Sequence, residues 1–376
     1  MVARIGKQAL CPCKSGLMFG DCHALSPPPF QNRLNDMKTD PKIRPAWEAM
    51  TSAGIPFHGV HPSILMDGKR IRFIGDKAYV RPPSQTFHEF LIGFLRDVVI
   101  RKPWFERQNL LPTGSQHLLF RWFIAERKFM QPLRDKPIAD GQTHFHSDAS
   151  GEVSDLLTLA HDVFHLVNAK SFNTKLRRRL LDKREFQGVR YEIAVAALAT
   201  RAGMKVEFVH HPDKKHHDLL AFDQRTQTTV AFEAKSRHRA GGLHEPGPPD
   251  QNRIQRGDVA SLIGQAFDQN PGKIPFIVFV DLNVPREPGV SVEERPWFND
   301  VWTDMQSIGE ASPDQPDEFS AIFFTNFWHS WSGATTSSGL EYLYIVSHYA
   351  RYPLPTDLVG RLMASVQNYS FTPPQV

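Results

Sequence analysis

The sequence of 376 residues contains only three cysteines, no long apolar run and no strong excess of charge of either sign. No apolar stretch reaches the roughly 18–20 residues that a membrane-spanning helix needs. The first residues lead into cysteines rather than into an apolar segment, which predicts no secretory signal and a cytoplasmic protein. The 44 basic and 40 acidic residues give a formal net charge of only +4, which permits nucleic-acid binding without arguing for it.

The three cysteines lie close together near the amino terminus, and a histidine follows the last of them. Cys11, Cys13, Cys22 and His23 supply three thiolates and an imidazole, a ligand set that suits tetrahedral Zn²⁺. An odd number of cysteines packed so closely is a poor disulfide framework, and the thiolates repel one another without a metal. The run CPCKSGLMFGDCH at 11–23 resembles the SEC-C motif, a zinc-binding accessory module that contacts partners in other proteins. A surface loop with free thiols is the alternative.

Three regions are predicted along the chain. Residues 1–25 form the zinc module, residues 26–175 begin with a proline-rich linker and form a mainly helical accessory region of undecided role, and residues 176–376 form an α/β domain. Helices are predicted in the accessory region at 88–99, 117–130 and 154–169, beside two short strands at 70–74 and 77–82. The predicted elements of the last region are a helix at 182–202, strands at 205–209, 218–222 and 229–235, a helix at 258–269, and strands at 274–281, 320–325 and 340–346.

Charged residues are predicted to converge on the hairpin formed by strands 218–222 and 229–235. Glu233 and Lys235 are two residues apart on one strand, so their side chains share a face. A turn centred near residue 226 places Asp218 across from about residue 234. Burying such groups costs several kcal/mol unless they are paired or bind a cation. Two carboxylates that hold Mg²⁺ or Mn²⁺ beside a lysine are suited to phosphodiester hydrolysis; a salt bridge at the hairpin end is the alternative.

A further carboxylate, Glu192, lies among apolar residues of the predicted helix at 182–202, where a shared metal would explain it. Together with Asp218, Glu233 and Lys235 it resembles the PD-(D/E)XK, or restriction-endonuclease-like, superfamily over about residues 180–285. The resemblance implies a mixed sheet flanked by helices, in which these four residues ligate the metal and assist hydrolysis. Asp213 also precedes the Glu-Xaa-Lys sequence, but Asp218 is preferred because Asp213 falls outside the hairpin pairing.

Basic and amide residues near the hairpin are candidates for nucleic-acid binding. Arg237 and Arg239 follow Lys235 closely, where a phosphate backbone would pass the site. Gln265 occupies the place where some members of the superfamily carry a Gln-Xaa-Xaa-Xaa-Tyr helix, although the tyrosine is missing here. The basic run at 175–184 is either a solvated helix face or a further phosphate contact.

The sequence therefore favours a Mg²⁺-dependent nuclease that acts on DNA, with restriction of foreign DNA or phage defence as its setting. A double-strand cut usually needs two active sites, so a homodimer is compatible with this function. The alternative is a catalytically inactive nuclease-fold protein that binds nucleic acid or a protein partner. In that case the zinc module would mediate the interaction.

Overall fold

The computed structural model describes residues 63–75, 77–134, 147–209, 216–240, 250, 252, 254–287, 289–309, 311–329 and 341–372. The four predicted zinc ligands, Cys11, Cys13, Cys22 and His23, lie outside the described residues, and so does Asp213. The chain divides into two compact units, Met1–Arg121 with Pro373–Val376, and Trp122–Thr372. Among the described helices, none combines the length and the apolar character that a membrane crossing requires.

The described part of the first unit contains a small antiparallel sheet followed by helices. Strands β1 (Ile64–Met66), β2 (Lys69–Ile74) and β3 (Lys77–Arg81) pair in sequence order. Helix α1 (Phe87–Phe94) begins with a capping box and continues as a π-helical segment (Leu95–Ile100), and α2 (Lys102–Asn109) follows. The predicted strands at 70–74 and 77–82 and the predicted helix at 88–99 are therefore present, whereas α2 was not predicted.

The second unit contains a mixed sheet of six strands. Its strands are β4 (Met204–Phe208), β5 (Leu219–Asp223), β6 (Thr228–Ser236), β7 (Phe276–Asp281), β8 (Ala321–Asn326) and β9 (Glu341–Val346). They lie in sequence order, with β6–β7 and β7–β8 parallel and the other pairs antiparallel. This arrangement confirms the predicted α/β class, a mixed sheet flanked by helices. Helix α3 (Leu118–Arg134) contains the point of division, and the further helices are α4 (Gly151–Asn168), α5 (Thr174–Leu180), α6 (Phe186–Arg201), α7 (Ala260–Phe267), α8 (Pro296–Gln306) and α9 (Thr356–Gln367).

Helices cover both faces of this sheet. On one face, apolar side chains of β7 and β8 pack with Ile263 of α7 and with Trp297 of α8. On the other face, α6 packs against β4 and β6, and α4 and α9 pack against α6. Strands β7 and β8 are buried along their whole length, as expected for parallel strands that are covered on both sides. The hairpin β5–β6 therefore joins a rigid, two-sided core.

Candidate active site

Pairing of β5 with β6 brings Asp218 and Glu233 together. Leu219 pairs with Phe232, so Asp218 lies opposite Glu233, one residue before the predicted position near 234. The backbone N–H of Asp218 donates to Oε2 of Glu233 at 3.2 Å. The backbone N–H of Ala234 in turn donates to Oδ2 of Asp218 at 2.9 Å. Each carboxylate is thus fixed by the backbone of the opposite strand segment.

Lys235 lies on the same face of β6 as Glu233, as predicted from their spacing. Its Nζ is 2.6 Å from Oε1 of Glu233 and donates to Oε1 of Gln269 at 2.9 Å. Gln269 follows the last turn of α7 and was not predicted as a site residue. The predicted Gln265 is exposed, and its amide donates to Ser261 within the same helix at 3.2 Å. Gln269, rather than Gln265, is therefore the glutamine that contacts the site lysine.

Burial of the two carboxyl groups makes their charged forms costly. Burial raises the pKa of Asp218 to about 6, and the negative charge of Glu192 adds to the rise. Burial raises the pKa of Glu233 to about 8, with a further contribution from the charge of Asp218. The Lys235 ammonium lowers both pKa values without cancelling the rise. When both carboxyl groups are ionised, their negative charges repel each other, and an additional cation would relieve that repulsion.

Glu192 joins this group from helix α6. Its carboxylate is buried and accepts two hydrogen bonds from Arg179 of α5, at 2.7 and 2.8 Å. The third guanidinium nitrogen, Nε of Arg179, donates to Oε2 of Glu185 at 2.6 Å. Arg179 belongs to the basic run at 175–184, in which the sequence did not distinguish it from its neighbours. All four predicted site residues are thus brought to one region, together with Arg179 and Gln269.

Arg237 and Arg239, the two predicted phosphate contacts, make contacts within the protein. The guanidinium of Arg237 is 3.2 Å from Oδ2 of Asp258 and also donates to the Asp258 carbonyl at 2.6 Å. Arg239 is buried and donates to the carbonyl oxygens of Leu282 and Arg256, at 3.1 and 2.5 Å. These contacts anchor the segment after β6. Phosphate contact by either residue stays a prediction.

A buried polar network lies on the α6 face, where β6 and β7 end. Asp281 accepts hydrogen bonds from Ser236 at 3.0 Å and from the indole of Trp328 at 2.8 Å. The Arg190 guanidinium stacks over the Trp328 ring at 3.9 Å and lies 3.8 Å from a carboxylate oxygen of Asp155. Burial raises the pKa of Asp281, and Arg190 opposes that rise. The network fixes α6 against the sheet beside the candidate site, and sequence reasoning missed it.

The two histidines that are one turn apart, His161 and His165, are buried in α4 with their Nε2 atoms 3.0 Å apart. Both rings therefore pack inside the second unit. Their ring nitrogens face each other, and an oxygen of Thr372 lies 3.5 Å from Nδ1 of His161.

Asp218 and Glu233 suit a hard divalent cation. Mg²⁺ is commonly held by one or two carboxylates, with water and substrate phosphate completing its shell. The raised pKa values show that burial makes the ionised form of both groups costly, and a bound cation would offset that cost. Within the described ranges, no group of three or more His, Cys, Asp or Glu side chains is arranged to hold a metal ion. No protein-family model, curated protein or solved structure matches this chain.

Proposed function

We propose that the protein is a metal-dependent nuclease that hydrolyses phosphodiester bonds. The observation that carries this proposal is the convergence of Asp218, Glu233 and Lys235 on one hairpin, with the ammonium 2.6 Å from a buried carboxylate. The order helix, three strands, helix, strand is compatible with the superfamily that the sequence resembles. DNA is the substrate that we favour, in restriction or phage defence, because nucleases of that superfamily often act there.

In this proposal Asp218 and Glu233 hold Mg²⁺ or Mn²⁺, and Glu192 assists through the metal shell. The metal, when bound, lowers the pKa of a water molecule and offsets charge on the phosphate. Lys235 would orient the attacking water through its ammonium group, which is held beside Glu233. To deprotonate that water, Lys235 would first have to release a proton and act as the neutral amine. Arg237, Arg239 and Gln265 remain the predicted nucleic-acid contacts, and Zn²⁺ is assigned to Cys11, Cys13, Cys22 and His23 of the SEC-C-like module.

The second candidate is a nuclease-fold protein that binds nucleic acid or a protein partner without cutting. Two ion pairs favour it: Lys235 neutralises Glu233, and Arg179 neutralises Glu192. Such pairing is also what a purely structural set of buried charges would require. A cleavage measurement therefore distinguishes a nuclease from a protein that only binds.

The test is cleavage of plasmid, single-stranded DNA and RNA in Mg²⁺ and in Mn²⁺. Asp218→Ala and Lys235→Ala should each lower the rate by about 10²–10⁴-fold, since each removes a group at the reacting centre. Lys205→Ala is the matched control, because Lys205 is an exposed lysine of β4 in the same sheet. Absence of cleavage by wild type on every substrate would favour the binding protein. Unchanged cleavage by both variants would show that the site is assigned wrongly.

A further inference from the structure

All three guanidinium nitrogens of Arg179 donate to acidic residues. Nη1 and Nη2 donate to the two carboxylate oxygens of Glu192, and Nε donates to Glu185. Such a two-point contact between guanidinium and carboxylate is among the stronger polar interactions in proteins. The Arg179 side chain nevertheless keeps 22% of its surface exposed, so a substrate can reach it.

The Arg179–Glu192 pair adjoins the proposed metal site. The negative charge of Glu192 raises the pKa of Asp218, and the positive charge of Arg179 lowers it. The packing agrees with these effects, because helix α6, which carries Glu192, packs against β6, which carries Glu233, and Arg179 contacts Glu192 directly. Arg179 and a divalent cation held by Asp218 would therefore share one small region.

Arg179 and a divalent cation compete for Glu192. Arg179 donates one hydrogen bond to each carboxylate oxygen of Glu192, and its positive charge repels a cation, so a direct metal bond by Glu192 is favoured when the guanidinium withdraws. The contact with Glu185 would keep the withdrawn group beside the site. A phosphodiester offers the same pair of oxygen acceptors as a carboxylate, and the planar guanidinium fits both.

We infer that Arg179 is a substrate-binding residue that moves its two-point contact from Glu192 to the phosphodiester oxygens when a divalent cation binds. This inference rests on the proposed function, because it requires a metal ion and a nucleic-acid substrate. It assigns Arg179 two measurable effects of opposite sign. While it contacts Glu192, the Arg179 side chain weakens metal binding. Once metal is present, the same side chain strengthens nucleic-acid binding.

The test uses Arg179→Gln, Arg179→Lys and the matched control Arg178→Gln in the full chain. Arg178 is the exposed neighbour on α5, so its loss changes the same charge without touching Glu192. Mn²⁺ affinity is measured by calorimetry. Affinity for labelled DNA and RNA oligonucleotides is measured by fluorescence anisotropy in Ca²⁺. Thermal unfolding reports whether each variant is folded.

Arg179→Gln should bind Mn²⁺ about tenfold more tightly than wild type and bind the oligonucleotide about tenfold more weakly. Arg179→Lys keeps the charge but cannot make the two-point contact, so it should show the same two signs with smaller changes. It also serves as the test if Arg179→Gln does not fold. Arg178→Gln should leave the Mn²⁺ affinity unchanged.

Three results would overturn the inference. If wild type binds Mn²⁺ and the Arg179 variants bind it no more tightly, the inference fails and the proposed function stands. Tighter Mn²⁺ binding with unchanged oligonucleotide affinity removes the substrate role. If neither wild type nor the variants bind Mn²⁺, the proposed function fails as well.

Discussion

The ammonium group of Lys235 lies between two fixed acceptors, Oε1 of Glu233 at 2.6 Å and Oε1 of Gln269 at 2.9 Å. A lysine ammonium stands on a flexible stem of four carbons, so a single acceptor would leave its position loosely defined. Gln269 comes from the segment after α7, whereas Glu233 comes from β6. Two separate elements therefore hold the group that we propose to act on water, which makes Gln269 a positioning residue.

Gln269→Ala should lower kcat for cleavage by about tenfold, with little change in KM or in Mn²⁺ affinity, because the ammonium loses one of its two acceptors. Gln269→Glu keeps an acceptor of the same length and should recover most of the rate. Gln306→Ala, an exposed glutamine at the end of α8, is the control. Equal losses of kcat in the Gln306 and Gln269 variants would contradict the positioning role.

The raised pKa values of Asp218 and Glu233 predict a pH-dependent stability for the protein in chelator. The pKa rises from 3.8 to about 6 in Asp218 and from 4.5 to about 8 in Glu233. At a pH between the unfolded-state pKa and the folded-state pKa of each group, the native state binds more protons than the unfolded state. Their contribution to the free energy of unfolding is therefore complete below about pH 4 and is lost as the pH rises through 6 to 8. Each such proton gives a slope of about 1.4 kcal/mol per pH unit.

Glu233→Gln isolates this effect, because the amide cannot ionise. His329 acts in the opposite direction: burial lowers its pKa far below the usual range, so its contribution grows as the pH rises. The informative quantity is therefore the difference in unfolding free energy between wild type and Glu233→Gln, from urea titrations at pH 5 to 8. That difference should increasingly favour the variant at higher pH. A difference that is constant with pH would refute the raised pKa of Glu233.

Much of the sheet and the site could be predicted from local sequence patterns. Short apolar runs on either side of a turn defined β5 and β6, and the spacing of Glu233 and Lys235 alone placed both on one face. Glu192 was conspicuous because it is a charged residue among the apolar residues of a predicted helix. Asp218 was predicted to lie across from about residue 234, whereas it lies across from Glu233, because the turn occupies residues 224–227 and β5 begins at Leu219.

Contacts between distant segments could not be predicted in the same way. Arg179 is one of three consecutive arginines, and only the packing of α5 on α6 decides which one reaches Glu192. Gln269 is 34 residues from Lys235 and carries no local pattern that marks it. The Asp281–Trp328 hydrogen bond spans 47 residues. Each of these side chains acquires its role from the tertiary structure, so spacing along the chain contains no signal for it.

The amino-terminal module gives a prediction that is independent of the nuclease site. Cys11→Ser should abolish the zinc content measured by atomic emission after gel filtration, because a structural site needs all four ligands. Lys14→Ala, within the same run of residues 11–23 but outside the predicted ligand set, should retain zinc. Full retention of zinc by Cys11→Ser would refute the assignment. Cleavage by the zinc-free variant would further show whether the module is needed for catalysis.

A stack of aromatic rings supports the strand that carries the site. Phe279 of β7 is fully buried, and its ring centroid is 4.6 Å from that of Phe323 on β8 and 6.3 Å from that of Phe232 on β6. Phe232 immediately precedes Glu233, so the stack fixes β6 against the two parallel strands behind it. Removing the central ring leaves a cavity that rigid strands on both sides cannot close.

Phe279→Ala should therefore lower the free energy of unfolding by about 3–5 kcal/mol in urea titrations. Phe371→Ala is the matched control, since Phe371 is 63% exposed and its loss should change stability by less than about 0.5 kcal/mol. Phe232, which the ring contacts, and Glu233 are successive residues of β6 and point to opposite faces of the sheet. We therefore expect the folded variant to keep its Mn²⁺ affinity within about twofold. A larger loss of Mn²⁺ affinity would mean that the stack, and not only the hairpin register, sets the distance between Asp218 and Glu233.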